Sequence, residues 1–204
     1  MLSSLLAFAL AAALIVLLPG PDSLVVLRAV VRHGRARAAL TAAGVLCGLL
    51  VWVGAAALGL SALLRASETA YTVLRIVGAV YLVWLGVQSL RTRGAPAAPD
   101  RPARRGVLGS GFGAGFTTDV LNPKVGVFFV TFLPGFVPAG YPVGGTSLLL
   151  GAVFVAETAL YFAVVLLLVG RISTWLADDR IRRRMDRTTG VVLLAFGARL
   201  ATES

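Results

Sequence analysis

Two proline-bearing interruptions in otherwise lipid-compatible sequence constrain this chain most: Pro19-Gly20-Pro21-Asp22 and Asn122-Pro123-Lys124. A proline inside a membrane helix removes a backbone donor and clashes with the preceding turn, so carbonyls and amides are left free at about bilayer depth. Such groups are tolerated only where they face protein or water. An ionisable side chain at that depth is costly and by default marks function, here Asp22 in the first break and Lys124 in the second. Together the breaks point to one site built from two interrupted helices.

The membrane setting follows from composition. Of 204 residues, 58% are hydrophobic and 14% charged, and mean hydropathy is +0.89, whereas a soluble domain carries about 25% charged residues. The expected fold class is an all-α polytopic membrane protein, one membrane domain over residues 1–204 with about six spans. A formal charge of +10 would suit a nucleic-acid groove. The arginines instead occupy short segments between apolar runs, as loops beside membranes do, and no nucleic-acid partner is expected. Cys47 is the only cysteine, which excludes an intrachain disulfide, a thiol relay and a thiolate cluster. His33 is the only histidine and no His-Glu-x-x-His is present, so a zinc hydrolase does not fit. No enzyme activity, cofactor or resident metal is expected.

Taken in order, Leu5 to Leu27 is apolar enough to span and contains the first break. No lysine or arginine precedes it, so a cleaved secretory signal is not expected. Arg28, Arg32, His33, Arg35 and Arg37 read as a basic loop. The second span, about Ala38 to Leu64, carries Gly44 and Gly48 in a small-xxx-small spacing that lets another helix approach closely. The third, about Ala70 to Leu90, contains Arg75, placed to snorkel toward the headgroups. Arg91 to Gly106 is proline-rich and basic, a cytoplasmic connector between a first half (residues 1–90) and a second (residues 107–204). The fourth span, about Val107 to Leu133, holds Asp119 and the second break. The fifth, roughly Gly145 to Val169, has Glu157 near its middle, about 18 Å from either end and too deep to snorkel. The last apolar stretch, Gly190 to Ala201, covers only about 18 Å of a roughly 30 Å core.

Charge placement orients the chain. Of 19 basic residues, 15 fall in the first, third and fifth loops, while the second and fourth hold only Arg65. The positive-inside rule then makes the odd loops cytoplasmic and puts both termini outside. Three spans on each side of the connector suggest inverted three-helix repeats, with Asp22 and Lys124 as counterparts of opposite charge. Broken helices in corresponding positions of such repeats imply a transporter with a central site.

The Pro19-Gly20-Pro21 and Asn122-Pro123-Lys124 motifs at this separation, with the basic segment and the glycine-bearing second helix, resemble the LysE/RhtB family of bacterial amino-acid exporters. The likeness runs to Gly197-Ala198-Arg199-Leu200-Ala201. It implies a multi-pass protein of the bacterial inner membrane that expels amino acids or close relatives at the expense of an ion gradient. A zwitterion suits the residues: Lys124 and freed amides for the carboxylate, and Asp22, Asp119 or Glu157 for the ammonium. Asn122, both donor and acceptor, can bridge either group or hold the break in shape. Burial and a nearby cation pull a carboxylate's proton affinity in opposite directions, which suits Asp22, Asp119 and Glu157 to coupling, Glu157 first because the fewest purely structural roles compete for it. Asp22 has such a role as a helix cap, Asp119 as a partner of Lys124 or Arg75, and Lys124 as a partner of Asp22. A metal or inorganic-cation exporter is the alternative, since Asp22, Asp119, Asn122 and Glu157 supply hard oxygen ligands, although Lys124 would oppose a cation. A membrane scaffold would need none of these charges. Proton and sodium coupling are both open, the proton favoured, and the small helix faces also fit a homo-oligomer.

Overall fold

The computed structural model describes residues 1–18, 20–60, 67–91, 111–168 and 179–202. Pro19, Arg65, residues 92–106 of the connector, residues 107–110 at the expected start of the fourth span and residues 169–178 lie outside them, as does the side chain of Arg75. Every regular element among the described residues is helical, and the chain is an all-α polytopic membrane protein. The elements are α1 (Leu2–Leu17), α2 (Pro21–Ala55) with a π-helical turn at Ala56–Leu60, and α3 (Glu68–Arg91). There follow α4 (Phe112–Val120) and α5 (Pro123–Val127), the latter continued by a π-helical turn at Phe128–Phe132 and a 3-10 turn at Leu133–Phe136. Then come α6 (Val143–Leu167) and α7 (Asp179–Thr202). Three stretches, Pro21–Gly59, Thr72–Arg91 and Val143–Leu167, are each long and apolar enough to cross a membrane unaided. The shorter apolar helices include Leu2–Leu17 and Pro123–Phe136, the ones cut by the two breaks.

The basic segment expected as a loop is helical. Arginine and alanine are good helix formers, so residues 28–37 stay wound, and the chain reverses at one residue, Gly34, whose φ of 77° a side chain would resist. The two legs of α2 then pack back on one another, Val26 against Ala42 and Val45, and Ala29 and Val30 against Ala38. The last helix also departs from expectation. It begins eleven residues ahead of Gly190, but the added turns are strongly charged, and its apolar part, Arg187–Ala198, stays as short as the sequence reads.

Small residues set the closest helix contacts. The second leg of α2 lies on α4, where a methyl group at Gly48 would come within 2.6 Å of an Asp119 carboxylate oxygen, and one at Gly44 would meet the backbone of Phe112 and Phe116. Helix α3 pairs with α7 through Gly86, where a methyl would lie 2.9 Å from the Gly190 carbonyl. In lipid such pairs gain chiefly from van der Waals packing, because apolar burial drives little there. Seven phenylalanines form the core on one side of the breaks: Phe8, Phe128, Phe129, Phe132, Phe136, Phe154 and Phe196. Their rings interlock, Phe8 on Phe136 at 5.4 Å, Phe128 on Phe154 at 5.0 Å and Phe132 on Phe196 at 4.5 Å.

Candidate functional site

Each break is a helix end meeting a helix start. Helix α1 stops at Leu17 and α2 starts with Pro21 at its first position, behind Gly20 in extended conformation. Proline needs no amide partner at a first turn, so the site tolerates it. The second break repeats this: α4 ends at Val120, Asn122 is extended, and Pro123 opens α5.

Asn122 joins the two. Its side-chain oxygen accepts from the Lys124 backbone amide at 3.1 Å, capping α5, while its Nδ2 donates to Asp22 Oδ2 at 2.6 Å. With Asn122 only 2% exposed, this is a buried weld between helices a hundred residues apart in sequence. Asp22 is therefore not a cap of its own helix; Gly20 holds the N-cap position and makes no side-chain bond there.

Lys124 reaches the opposite way. Its ammonium donates to the carbonyls of Ile15 and Leu18 at 3.3 and 3.2 Å, the oxygens left free where α1 stops. A cation on a helix C-terminus also opposes the negative end of the helix dipole. Gly20 makes room for it: a methyl there would sit 3.1 Å from Lys124 Nζ. Among the described residues no hydrogen bond joins Lys124 to a carboxylate, although Asp22, Asp119 and Lys124 are near enough to act on one another electrostatically.

Asp119 is fully buried, and neither of its carboxylate oxygens has a hydrogen-bond partner. The same holds for the second oxygen of Asp22. The backbone around Asp119 is fixed instead, its carbonyl accepting from Trp52 Nε1 at 3.2 Å, with the Trp52 ring laid against Gly126. Unsatisfied carboxylates in a dry interior are costly unless something binds there.

Two cavities meet at this cluster. The smaller, about 30 Å³, is lined by Gly20, Asp22, Asp119, Lys124, Thr158 and Tyr161 among apolar neighbours. The larger, about 230 Å³, is lined by Gly20, Pro21, Gln88, Ser89, Asn122, Lys124 and Thr189 with leucines 85 and 193. Gly20 and Lys124 belong to both.

The structure thus gathers Gly20, Pro21, Asp22, Asp119, Asn122, Pro123 and Lys124. It does not gather Glu157, which lies on α6 beside Thr158 but lines neither cavity and is half-exposed, with one carboxylate oxygen buried and unbonded. Sequence reasoning overlooked Gln88, Ser89, Thr189, Trp52, Thr158 and Tyr161. Their signal was available as polar atoms in apolar spans, a weaker one than a charge.

The family model for LysE type translocators matches residues 13–204. The chain is 31% identical to the threonine efflux protein of Escherichia coli K12 over 89% of both chains. It is 29% identical to the leucine efflux protein of Klebsiella pneumoniae over 97% of this chain and 94% of that one. It is also 26% identical to the uncharacterized membrane protein YrhP of Bacillus subtilis over 95% of this chain and 96% of that one. No solved structure matches the chain.

Proposed function

We propose, because this chain belongs to the LysE type translocator family, that it is a secondary active exporter moving amino acids or close derivatives out of the bacterial cytoplasm by proton antiport. The relatives named for threonine and leucine efflux support the cargo class over almost the full chain. The observation that carries the reading is the buried cluster at the paired breaks: Asp22 welded to Asn122, Lys124 seated on freed α1 carbonyls, and Asp119 unpaired beside them.

A zwitterion needs a cation and an anion within a few ångströms of each other, and the cluster supplies both signs. Lys124 receives the carboxylate, as a charge-assisted hydrogen bond stronger than those it gives to carbonyls. Asp22 and Asp119 supply the negative charge that the substrate ammonium and the coupling proton each require. A hard-cation exporter gains less support. Among the described residues no three His, Cys, Asp or Glu side chains converge, and the Lys124 ammonium lines the same cavity as the carboxylates.

The reading puts the protein in the bacterial inner membrane with residues 28–37, the 91–106 connector and the basic start of α7 on the cytoplasmic side, and the excess of arginine there supports that orientation. The test is efflux of pooled radiolabelled amino acids from cells under an imposed proton gradient. Wild type is expected to export particular amino acids faster than empty cells, and Lys124→Ala to lose at least about tenfold of that rate. Undiminished export by Lys124→Ala removes Lys124 from the site; no export of any amino acid by wild type, with the protein present in the membrane, removes amino acids as the cargo.

A further inference from the structure

We infer that the two cavities divide the transported species, the larger holding the amino acid and the smaller holding the coupling proton on Asp119, with Lys124 as the wall between them. The inference rests on the exporter reading above and specifies how its site is partitioned.

Size makes the first distinction. A cavity needs roughly 10–15 Å³ to take one water. The smaller cavity, at about 30 Å³, has room for a water or two and no room for an amino acid. The larger, at about 230 Å³, is several times bigger and lies toward the basic ends of its helices: Gln88 is three residues before Arg91, and Thr189 two after Arg187. That is the face from which an exporter must load. The phenylalanine core closes the opposite side.

Chemistry makes the second. Among the described residues Lys124 is the one charged side chain that lines the larger cavity, and Gln88, Ser89 and Thr189 are neutral polar side chains of the same wall. A carboxylate seated on Lys124 and a neutral side chain among these groups suit it. The smaller cavity has the reverse character. Asp119, fully buried and with both oxygens unpaired, lines it together with Asp22, which has one unpaired oxygen. The titratable groups around Asp119 are Asp22 from α2, Lys124 from α5 and Tyr161 from α6.

Charge then links the two. With both carboxylates ionised and Lys124 protonated, the cluster carries one negative charge in excess, which attracts the ammonium of a zwitterion held next door. A proton arriving on Asp119 cancels that excess and weakens the hold on the ammonium. Proton and amino acid therefore compete without sharing a cavity, the exchange an antiporter requires.

The test uses the purified full chain in proteoliposomes with radiolabelled threonine and leucine as probes. Asp119→Asn, which holds the cluster in its proton-bound charge state, is expected still to exchange internal for external amino acid at saturating concentration without an ion gradient, with a raised KM that no longer changes with pH. It is expected to lose both accumulation driven by a proton gradient and proton movement elicited by amino acid. Gln88→Leu and Thr189→Leu are expected to raise KM at least about tenfold while the protons moved per amino acid stay unchanged. A KM of Asp119→Asn that still changes with pH, or loss of exchange at saturating amino acid with a wild-type elution profile, overturns the division. So does an unaltered KM in both chamber variants, or accumulation that runs on sodium in place of protons. Wild type that exchanges neither probe fails at the exporter reading itself, which separates that failure from one confined to the variants.

Discussion

At the scale of single residues, the cluster is held by few bonds, so each substitution has a definite expected effect. Asn122→Ala removes the cap on α5 and strips Asp22 of the hydrogen bond it accepts. Losing a cap costs about 1 kcal/mol, and leaving a buried acceptor unpaired costs about 1–3 kcal/mol more. A lowered unfolding temperature in detergent is expected together with lost transport. Gly20→Ala separates position from fold: its methyl meets the Lys124 ammonium at 3.1 Å, so the lysine must shift by a few tenths of an ångström. Transport is expected to fall while the unfolding temperature stays near that of wild type, because among the described residues beyond its chain neighbours only the Lys124 side chain comes within 4 Å of that methyl. Asp22, Asn122 and Lys124 were legible in the sequence because a charge or a proline in an apolar run is costly and persists only where the fold or the site needs it. Glu157 satisfies the same rule, yet the structure leaves it outside both cavities. One helical residue is a turn of about 100°, enough to put Thr158 on the cavity wall and Glu157 on the flank. Hydropathy gives depth and not rotation. Glu157→Gln is accordingly expected to retain most proton-driven efflux where Asp119→Asn loses it, measured side by side in cells.

At the scale of elements, the site depends on how closely α4 lies on the second leg of α2. Gly48 is the recess for Asp119: a methyl would stand 2.6 Å from its oxygen and 2.8 Å from its Cβ, too near for any real contact. Overpacking of this kind costs typically about 1–3 kcal/mol. Gly48→Ala is expected to lower the unfolding temperature, and Gly48→Ala with Asp119→Gly to regain part of it without regaining coupled transport. A double variant no more stable than Gly48→Ala alone would mean the strain falls on the backbone and not on Asp119. The spacing of Gly44 and Gly48 announced a close crossing, though not which helix would fill it. The corner at Gly34 was hidden for another reason. Arginines mark a membrane boundary in a sequence, but they are also good helix formers, and the structure keeps them wound on both sides of one glycine. The start of α7 was hidden likewise, since residues 179–189 are too polar for a hydropathy window while remaining helical.

At the scale of the whole molecule, the two breaks lie between an aromatic core and a chamber that faces the arginine-rich ends of α3 and α7. In the proposed orientation the protein is closed to the outside and loads from the cytoplasm. The proposed inverted repeats give this asymmetry a use, because exchanging the arrangements of the two halves would close the chamber and open the aromatic side. The prediction at this scale concerns access. In a Cys47→Ala background, so that no other thiol is present, Ser89→Cys is expected to react with a membrane-impermeant maleimide in inside-out vesicles and much more slowly in right-side-out ones. A thiol placed at Phe132, buried in the aromatic core, is expected to resist reagent from both sides. Added amino acid is expected to slow labelling at position 89, since a molecule seated on Lys124 fills the space the reagent must cross. Labelling at position 89 only from the outer face would reverse the orientation drawn from the arginines. Equal labelling from both faces would mean that the phenylalanines do not seal the closed side, and that the broken helices rest in a state already open through the membrane.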